Sequence, residues 1–514
     1  MSAPTALPAT AVAPVPARRA LAWFAPTDHA TAIRRFVWVL AIAFVAKQAF
    51  ATFLFPAFSG HDEVAHFAYI QVLATEHRLP VLPDLEQWRG EARFGDTPNG
   101  DYLPDDLYPY CRFVLDWYCE PDNARWGATP PRIVTVLGEL YPSGYVYTAN
   151  HPPLYYAAMT PFYWLSSGWG PVAQQYLFRL LAIPLGLATV WLAFRLATTI
   201  FPGDAFLAVT VPTFVAFQPQ ISYEGAMVNN DIWSIALFSW MTLLLVVGIR
   251  DRFPRRTCLW LGFALGLALL TKANSLAITP VIALAVVMSV GWRNVRGWVG
   301  RGALVVAPAA AMAAPWYLWM VRTYGNLDAS DQVAALQGWW NKPAGTMLGM
   351  LTDPQFAVFR FKETWGEFGW RMVPLSDGLL WAIAVPLLAA VGGLAWYLVT
   401  AARGSGPAER DRVLRPSRWQ WQALVAMLAL CAVAYLAVLQ FGTRFALTQA
   451  RYFFPVVNAA AFLTMLGLRT IVPTRARPVA QGVVFAAMVL LTVLIYTQYI
   501  LPFGVASLGL PGRG

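Results

Sequence analysis

Long apolar runs separated by short polar segments make up most of this chain. Most of these runs have about the 20 residues that an α-helix needs to cross a bilayer. The pattern therefore predicts an all-α integral membrane protein with about 11 spans between residues 33 and 502. The predicted spans are 36–55, 176–200, 205–221, 229–248, 259–270, 275–291, 302–321, 378–399, 421–440, 452–468 and 483–501.

Two polar stretches between the spans are long enough to have structure of their own. The first, residues 57–175, is acidic, and the second, residues 322–377, is rich in Trp and Phe. Within the first stretch, residues 152–167 are apolar but crowded with Pro, Tyr and Trp, which suit a membrane interface. Three predicted spans separate them from a basic loop at 250–256, which is predicted to be cytoplasmic. Three crossings already bring the chain from the outer face to the inner face. We therefore predict that 152–167 forms a juxtamembrane helix on the outer face without crossing.

Basic residues cluster in short loops between the spans, which indicates that these loops are cytoplasmic. The clusters lie at 34–35, 250–256, 293–301, 403–418 and 469–477. The N-terminus is then cytoplasmic and both long polar stretches are external. Residues 1–32, rich in Ala and Pro, are predicted to be a disordered cytoplasmic tail, and residues 503–514 a C-terminal tail.

Composition excludes several classes of protein. With 58% hydrophobic and only 12% charged residues, the chain is too apolar for an ordinary soluble protein. Its net charge of +10 lies mainly in the short loops, so nucleic acid is not an expected partner. Cys258 and Cys431 lie in apolar runs. Cys111 and Cys119 share the first external stretch, where a disulfide between them is expected if that stretch is exported.

Asp62, Glu63 and His66 follow the first span directly. On a helix that begins here they share a face, and such a cluster can take a proton, bind a cation or bind sugar hydroxyls. Alternatively, the two acids only cap the helix and complement its dipole. Spacing alone does not decide between these two interpretations.

Further polar residues are predicted at the same outer face, on turns far apart in the sequence. Asp231 either serves the chemistry or caps the helix that follows it, and Lys272 either binds an anion or extends to the membrane surface. The Trp residues of the second external stretch form either an interfacial belt or a sugar platform. Ionisable residues near membrane depth favour a functional site.

A resemblance to a known family rests on two segments. Asp62-Glu63-Val64-Ala65-His66-Phe67, followed by Asn150-His151-Pro152-Pro153-Leu154-Tyr155-Tyr156, resembles a pair of signatures in protein O-mannosyltransferases and related GT-C glycosyltransferases. The later segments 229–231, 266–272, 315–317, 365–370 and 449–455 resemble a largely uncharacterised branch of bacterial membrane proteins that is also GT-C-like. Ala65 is an extra residue in the first signature, and Ala450 replaces the usual Gly of the last segment.

This resemblance implies a GT-C-type helix bundle in a bacterial plasma membrane. It also implies a polyprenyl-phosphate sugar donor and transfer on the extracytoplasmic face. The acceptor is expected to be an envelope glycan or lipid, and the reaction to invert the sugar centre. Asp62 is the leading catalytic residue, as general base or as ligand of a divalent cation (Mg or Mn), supported by Glu63 and Asp231. The expected substrate-binding residues are His66, His151, Asn230, Lys272, Trp365, Arg451 and Tyr452.

Lys272 and Arg451 are the residues expected to bind the donor phosphate, because a phosphate leaving group needs cations. The alternative function is a transporter or flippase of a lipid-linked glycan, which also needs a basic cavity. Transporters often contain internal repeats and charges at mid-membrane. Here no repeat is evident and the polar residues gather on one side, which favours an enzyme.

Overall fold

The computed structural model describes residues 29–85, 99–107, 110, 133–136, 139–338, 341–404, 415–446 and 449–507. These residues are almost entirely helical. The first half contains α1 His29–Leu54, α2 Glu63–Glu76, α3 Leu154–Leu165, α4 Pro171–Leu181, α5 Ile183–Ile200, α6 Ala205–Phe217, α7 Pro219–Glu224, α8 Asp231–Arg250 and α9 Arg255–Leu269. Cys111 and Cys119, and therefore the predicted disulfide, lie outside the described residues.

The second half continues with a 3-10 helix Ala273–Ile278, α10 Thr279–Val290, α11 Val295–Tyr324, α12 Ser330–Gln337, α13 Met347–Thr352, α14 Pro354–Gly366, α15 Phe368–Arg371, α16 Asp377–Ala402 and α17 Arg418–Gly442. It ends with a 3-10 helix Ala450–Val456, α18 Val457–Ile471, a 3-10 turn Thr474–Ala476, α19 Arg477–Ile495, a π-helix Tyr496–Ile500 and α20 Leu501–Ser507. The predicted C-terminal tail from residue 503 thus begins inside α20.

Strands are few among the described residues. In the first long polar stretch, Ile133–Val136 pairs antiparallel with Glu139–Pro142. In the second, the two-residue strand Val373–Pro374 pairs with residues 367 and 368. Both long polar stretches therefore have structure of their own, as predicted.

Nine helical segments in the described part of the chain are long and apolar enough to cross a membrane. Of the predicted spans, the two at 205–221 and 259–270 are not among these segments, because the helices there, α6 and α9, have only 13 and 15 residues. Residues 152–167, predicted to lie at the outer face without crossing, contain α3. Its 12 residues extend about 18 Å, well short of a bilayer core of about 30 Å. This length agrees with the prediction that the segment does not cross.

Close helix packing holds the bundle together. α9 packs along α11, α5 packs against α6 and α8, and α16 packs along α18. At the last of these contacts Gly393 and Gly467 face each other, and a Cβ on Gly467 would overlap the carbonyl of Ala390. Small residues let two backbones approach closely, which is how helices associate in lipid. The outer faces of α16 and α19 expose large apolar side chains, as lipid-facing helices do.

Candidate active site

Four charged side chains from distant parts of the chain meet in one buried cluster. Arg451 donates from Nη2 to Asp62 Oδ2 (2.5 Å) and from Nη1 to Asp231 Oδ2 (3.3 Å). Lys272 Nζ forms an ion pair with the other oxygen of Asp231. Two carboxylates and two cations thus alternate, so each buried charge has an opposite partner. The sequence predicted all four residues, and the structure brings them together.

Local backbone geometry aims Asp62 at this cluster. Asp62 lies just before α2 in a left-handed conformation (φ 57°, ψ 10°) and makes no side-chain capping hydrogen bond. The alternative that Asp62 serves as a helix cap therefore does not describe this structure. Burial raises the pKa of Asp62, but the charge and hydrogen bond of the Arg451 guanidinium outweigh burial and lower it below its usual value.

The turn that carries Lys272 is fixed by its neighbours. Asn230 Nδ2 donates to the carbonyl of Thr271 (2.9 Å), and Leu154 N of α3 donates to the carbonyl of Leu270 (2.9 Å). Lys272 therefore lies beside the first turn of α8, where Asp231 is located. Its amine pairs with that carboxylate instead of extending to a membrane surface.

Two histidines of the signature segments lie next to the charged cluster. His66 Nδ1 is 2.8 Å and His151 Nδ1 is 3.2 Å from the hydroxyl of Tyr156, so both imidazoles share one phenol. Asn230 Nδ2 lies 3.4 Å from His151 Nδ1. Burial lowers the pKa of His66 well below its usual value and, with the nearby Lys272 charge, lowers that of His151 to about 4. Both imidazoles are therefore neutral at pH 7 and suited to hydrogen bonding.

Glu63 lies in a separate buried ion pair. Its two oxygens accept from Arg179 Nε and Nη2 (2.7 Å each), from Gln175 Nε2 (2.6 Å), and from the backbone N–H groups of Val228 (2.9 Å) and Gly60 (3.0 Å). Arg179 also donates to three carbonyls at the end of α1. The Glu63 carboxylate therefore pairs with Arg179 and not with the two cations of the charged cluster, and it joins α2 to α1 and α4.

Glu363 of α14 supports the segment that carries Arg451. Its Oε2 accepts from the N–H of Ala450 (3.0 Å) and pairs with Arg360 (3.0 Å), while its Oε1 accepts from Arg371. Because Ala450 directly precedes Arg451, this contact fixes the start of the 3-10 helix. Arg360, Glu363 and Arg371 lie in the second predicted external stretch, and the sequence pattern indicates no role for Glu363.

The two predicted aromatic residues differ in placement. Tyr452 lies at the cluster, with its ring centroid 5.4 Å from Lys272 Nζ. Trp365 is buried in the core, and its ring centroid lies 5.7 Å from that of Phe214 in an edge-to-face arrangement. Trp365 therefore lies inside the bundle and not on an open platform.

His61 and Glu224 form a further buried pair, for which the sequence pattern predicts no role. His61 Nδ1 is 2.9 Å from Glu224 Oε1, and Asn229 Nδ2 donates to Glu224 Oε2 (2.9 Å). Because Asn229 also accepts from the N–H of Asp231 (3.0 Å), this network connects to the charged cluster. The signal was present, since His61 precedes Asp62 and Glu224 lies on a predicted outer turn.

A divalent cation at Asp62 does not fit this arrangement. The space between Asp62 and Asp231, where a shared metal would bind, is taken by the guanidinium of Arg451. Among the described residues, no group of three or more His, Cys, Asp or Glu side chains could hold a metal ion. Arg451 supplies the positive charge that a metal would bring between the carboxylates.

Comparison with known proteins gives one family and several solved structures. Residues 47–460 match a family described as "Predicted membrane protein (DUF2142)". No curated protein matches the sequence. Similar solved structures include ArnT from Cupriavidus metallidurans bound to undecaprenyl phosphate, at 13% identity and a TM-score of 0.44, over 92% of this chain and 74% of that one.

Two further solved structures are similar over 91% of this chain. They are the mycobacterial arabinofuranosyltransferase AftD (18% identity, TM-score 0.44) and the oligosaccharyltransferase AglB from Archaeoglobus fulgidus in complex with an inhibitory peptide and a dolichol-phosphate (10% identity, TM-score 0.42). This chain spans only 27% and 55% of their lengths. Identities and TM-scores this low establish neither the fold nor the function of this chain.

Proposed function

The chain belongs to the DUF2142 family of predicted membrane proteins, and on that premise we propose that it is a membrane glycosyltransferase of GT-C type. It transfers a sugar from a polyprenyl-phosphate donor to an extracytoplasmic envelope glycan or lipid. The observation that supports this function is the cluster in which Arg451 bridges two buried carboxylates beside Lys272. A proton-accepting carboxylate and phosphate-binding cations lie together there, as this chemistry requires.

The proposed reaction is a single displacement with inversion. The bond from the sugar C1 to the phosphate oxygen breaks, and a bond from C1 to the acceptor oxygen forms. The acceptor hydroxyl gives its proton to Asp62, because a neutral hydroxyl must lose its proton as it attacks. The phosphate leaves as an anion that Arg451 and Lys272 stabilise, and therefore no general acid is required.

Donor binding would also activate the base. Without a donor, Arg451 pairs with Asp62 and makes the carboxylate a weak proton acceptor. A donor phosphate would compete for the guanidinium, so the pKa of Asp62 would rise as the pair loosens. Asp62 would then become basic only when a sugar is in place. His66 and His151, both neutral, would orient hydroxyl or phosphate oxygens nearby.

The first test of the proposed function is transfer by Asp62→Asn. Asn keeps the size of Asp and tolerates the left-handed backbone at this position, so the variant should fold. It cannot take a proton, and the rate should fall by about 10²–10⁴. The measurement is radiolabel transfer from labelled lipid extract to product by reconstituted protein, with the exposed Asp377→Asn as the matched control. A folded Asp62→Asn variant with wild-type turnover would contradict the assignment of the base.

The same assay separates the enzyme from the alternative, a transporter or flippase of a lipid-linked glycan. An enzyme produces a new labelled product whose formation depends on Asp62. A flippase moves the labelled lipid across the bilayer and leaves it chemically unchanged. Movement without product in the wild type would support the alternative.

A further inference from the structure

A polar pocket adjoins the charged cluster and has no role in the proposed reaction. Its walls come from the loop after α1, from α7, from the segment between α14 and α15, and from the residues that precede Arg451. The lining residues are His61, Gln220, Glu367, Arg371, Gln449 and Arg451, together with Glu363 and Ala450. Because Arg451 also binds Asp62 and Asp231, the pocket and the charged cluster share a wall.

Three of the lining residues each carry a buried acceptor oxygen that has no hydrogen-bond partner. These oxygens are Oε1 of Gln220, Oε2 of Glu367 and Oε1 of Gln449. The three side chains are only 3%, 8% and 6% exposed, respectively. Buried polar atoms are nearly always hydrogen-bonded, so three orphaned acceptors on the wall of one pocket point to a ligand that donates hydrogen bonds.

The segments that carry these acceptors are held rigidly. Glu367 lies in a short bridge to Pro374, and Gln449 precedes Ala450, whose N–H is held by Glu363. Gln220 lies within α7, which begins with a side-chain cap from Gln218. The acceptors are therefore fixed in place before a ligand binds.

Charge and size narrow the class of ligand. Glu363 and Glu367 disfavour a phosphate or carboxylate group, and Arg371 lies 3.7 Å from Glu367 and disfavours a metal ion. The space between the lining residues holds little more than one hydroxyl group. The group that fits is a neutral hydroxyl, which donates to an acceptor oxygen and accepts from a guanidinium.

We propose that this pocket is a subsite for one hydroxyl group on the sugar of the polyprenyl-phosphate donor. The hydroxyl donates its hydrogen to Oε1 of Gln220 or Gln449, the two acceptors that lie outside the ion pair of Glu367 with Arg371. This inference rests on the proposed function, since Arg451 would bind the donor phosphate on one side and line the subsite on the other. The enzyme would then discriminate against sugars that carry a carboxylate, or no hydroxyl, at this position.

The test is equilibrium binding to the purified full-length protein in lipid nanodiscs. The probes are bare undecaprenyl phosphate and undecaprenyl phosphates that carry mannose, glucose, galactose or arabinose. Gln220→Met and Gln449→Met remove one orphaned acceptor each, and because that oxygen has no partner within the protein, folding should be unharmed. The matched control is Gln355→Met on the exposed side of α14.

In the wild type, at least one sugar-bearing probe should bind more tightly than bare undecaprenyl phosphate. At least one of the two subsite variants should lose about three- to tenfold in affinity for that probe and keep its affinity for the bare lipid. Equal loss for both probes, or no loss, would overturn the subsite, and the acceptors would then bind water. If no sugar strengthens binding to the wild type, the subsite also fails. If the wild type binds neither kind of probe, the proposed function itself is wrong.

Discussion

Arg451 is the residue on which the charged cluster depends, because among the described residues it is the cation that pairs with both carboxylates of the proposed site. A guanidinium presents several donors in one plane and can bind two carboxylates or a phosphate at once, whereas an ammonium is a point charge. A second cation, Lys272, reaches only Asp231 among these carboxylates. The shape of the cation at position 451, beyond its charge, is therefore expected to matter.

Arg451→Lys tests this distinction. The variant keeps the positive charge but cannot reach Asp62 and Asp231 together, so kcat should fall by roughly 10²–10³, as when one preorganised donor is lost. The measurement is steady-state transfer with the active donor. Arg444→Lys is the control, because Arg444 is exposed and its Nη1 forms a long ion pair, at 3.8 Å, with Asp328 Oδ2. Near-normal turnover in Arg451→Lys would show that charge alone is sufficient.

His151 provides a prediction about stability and pH. Its pKa is lowered to about 4 in the folded protein, against about 6.5 when unfolded, so the unfolded chain takes up a proton first on acidification. The stability from neutral His151 is fully present above pH 6.5 and is lost progressively from pH 6.5 to about 4. The full loss is on the order of 3 kcal/mol.

The measurement is thermal unfolding in detergent at pH 7.5 and at pH 5. The melting temperature of the wild type should be lower at pH 5 than at pH 7.5. The decrease should be smaller for His151→Asn, because Asn does not titrate. His77→Asn, on an exposed turn after α2, is the matched control and should behave as the wild type. An identical loss in His151→Asn and wild type would contradict the neutral, buried state of His151.

At the scale of elements, the adjacent acids Asp62 and Glu63 have different neighbours because α2 begins between them. Asp62 faces Arg451, whereas Glu63 binds Arg179 and joins three helices. The sequence could place both acids at the end of the first span. It could not show that Arg179, 116 positions later, would saturate only the second acid.

Glu63→Gln should therefore lower the stability of the folded protein more than the rate of transfer. Breaking a buried ion pair leaves Arg179 without its counter-charge, which costs about 3–5 kcal/mol. We expect a lower melting temperature and less folded protein, with near-normal turnover per folded molecule. The double variant Glu63→Gln/Arg179→Met should regain part of the stability, because it removes the unpaired charge. A stable but inactive Glu63→Gln would instead support a catalytic role for Glu63.

Other parts of the site show the same limit of sequence reasoning. Asp231, Lys272 and Arg451 could be predicted together because each follows or begins an apolar run at the same membrane face. Trp365 could not be told from an exposed aromatic residue, since its burial against Phe214 depends on how α14 packs on α6. The acceptors Gln220, Glu367 and Gln449 carried no signal, because only the folded chain reveals that their oxygens lack partners.

At the scale of the whole molecule, the described parts of the two long polar stretches contact each other, and the second stretch contacts the segment that carries Arg451. Arg78 and Asp101 pair in the first stretch, and Asn150 donates to the carbonyl of Asp328 in the second. At a separate place, Arg301 donates to the carbonyls of Arg252 and Phe253 within the predicted cytoplasmic loops. We therefore expect the proposed site and both polar stretches to lie on one side of the membrane.

The side of the membrane can be tested by cysteine labelling in intact cells, in a background whose native cysteines are replaced by Ala. Glu76→Cys, at the exposed end of α2, and Asp328→Cys, on an exposed bend of the second polar stretch, should react with an impermeant maleimide from outside. Arg252→Cys and Arg293→Cys, exposed in the basic loops, should react only after permeabilisation, because basic loops are retained in the cytoplasm. Labelling of position 328 from the opposite side to position 76 would mean that the stretches are on different faces. The shared active site on one membrane face would then be excluded, since Asp62 follows α1 in the first stretch and the segment before Arg451 is held by Glu363 of the second.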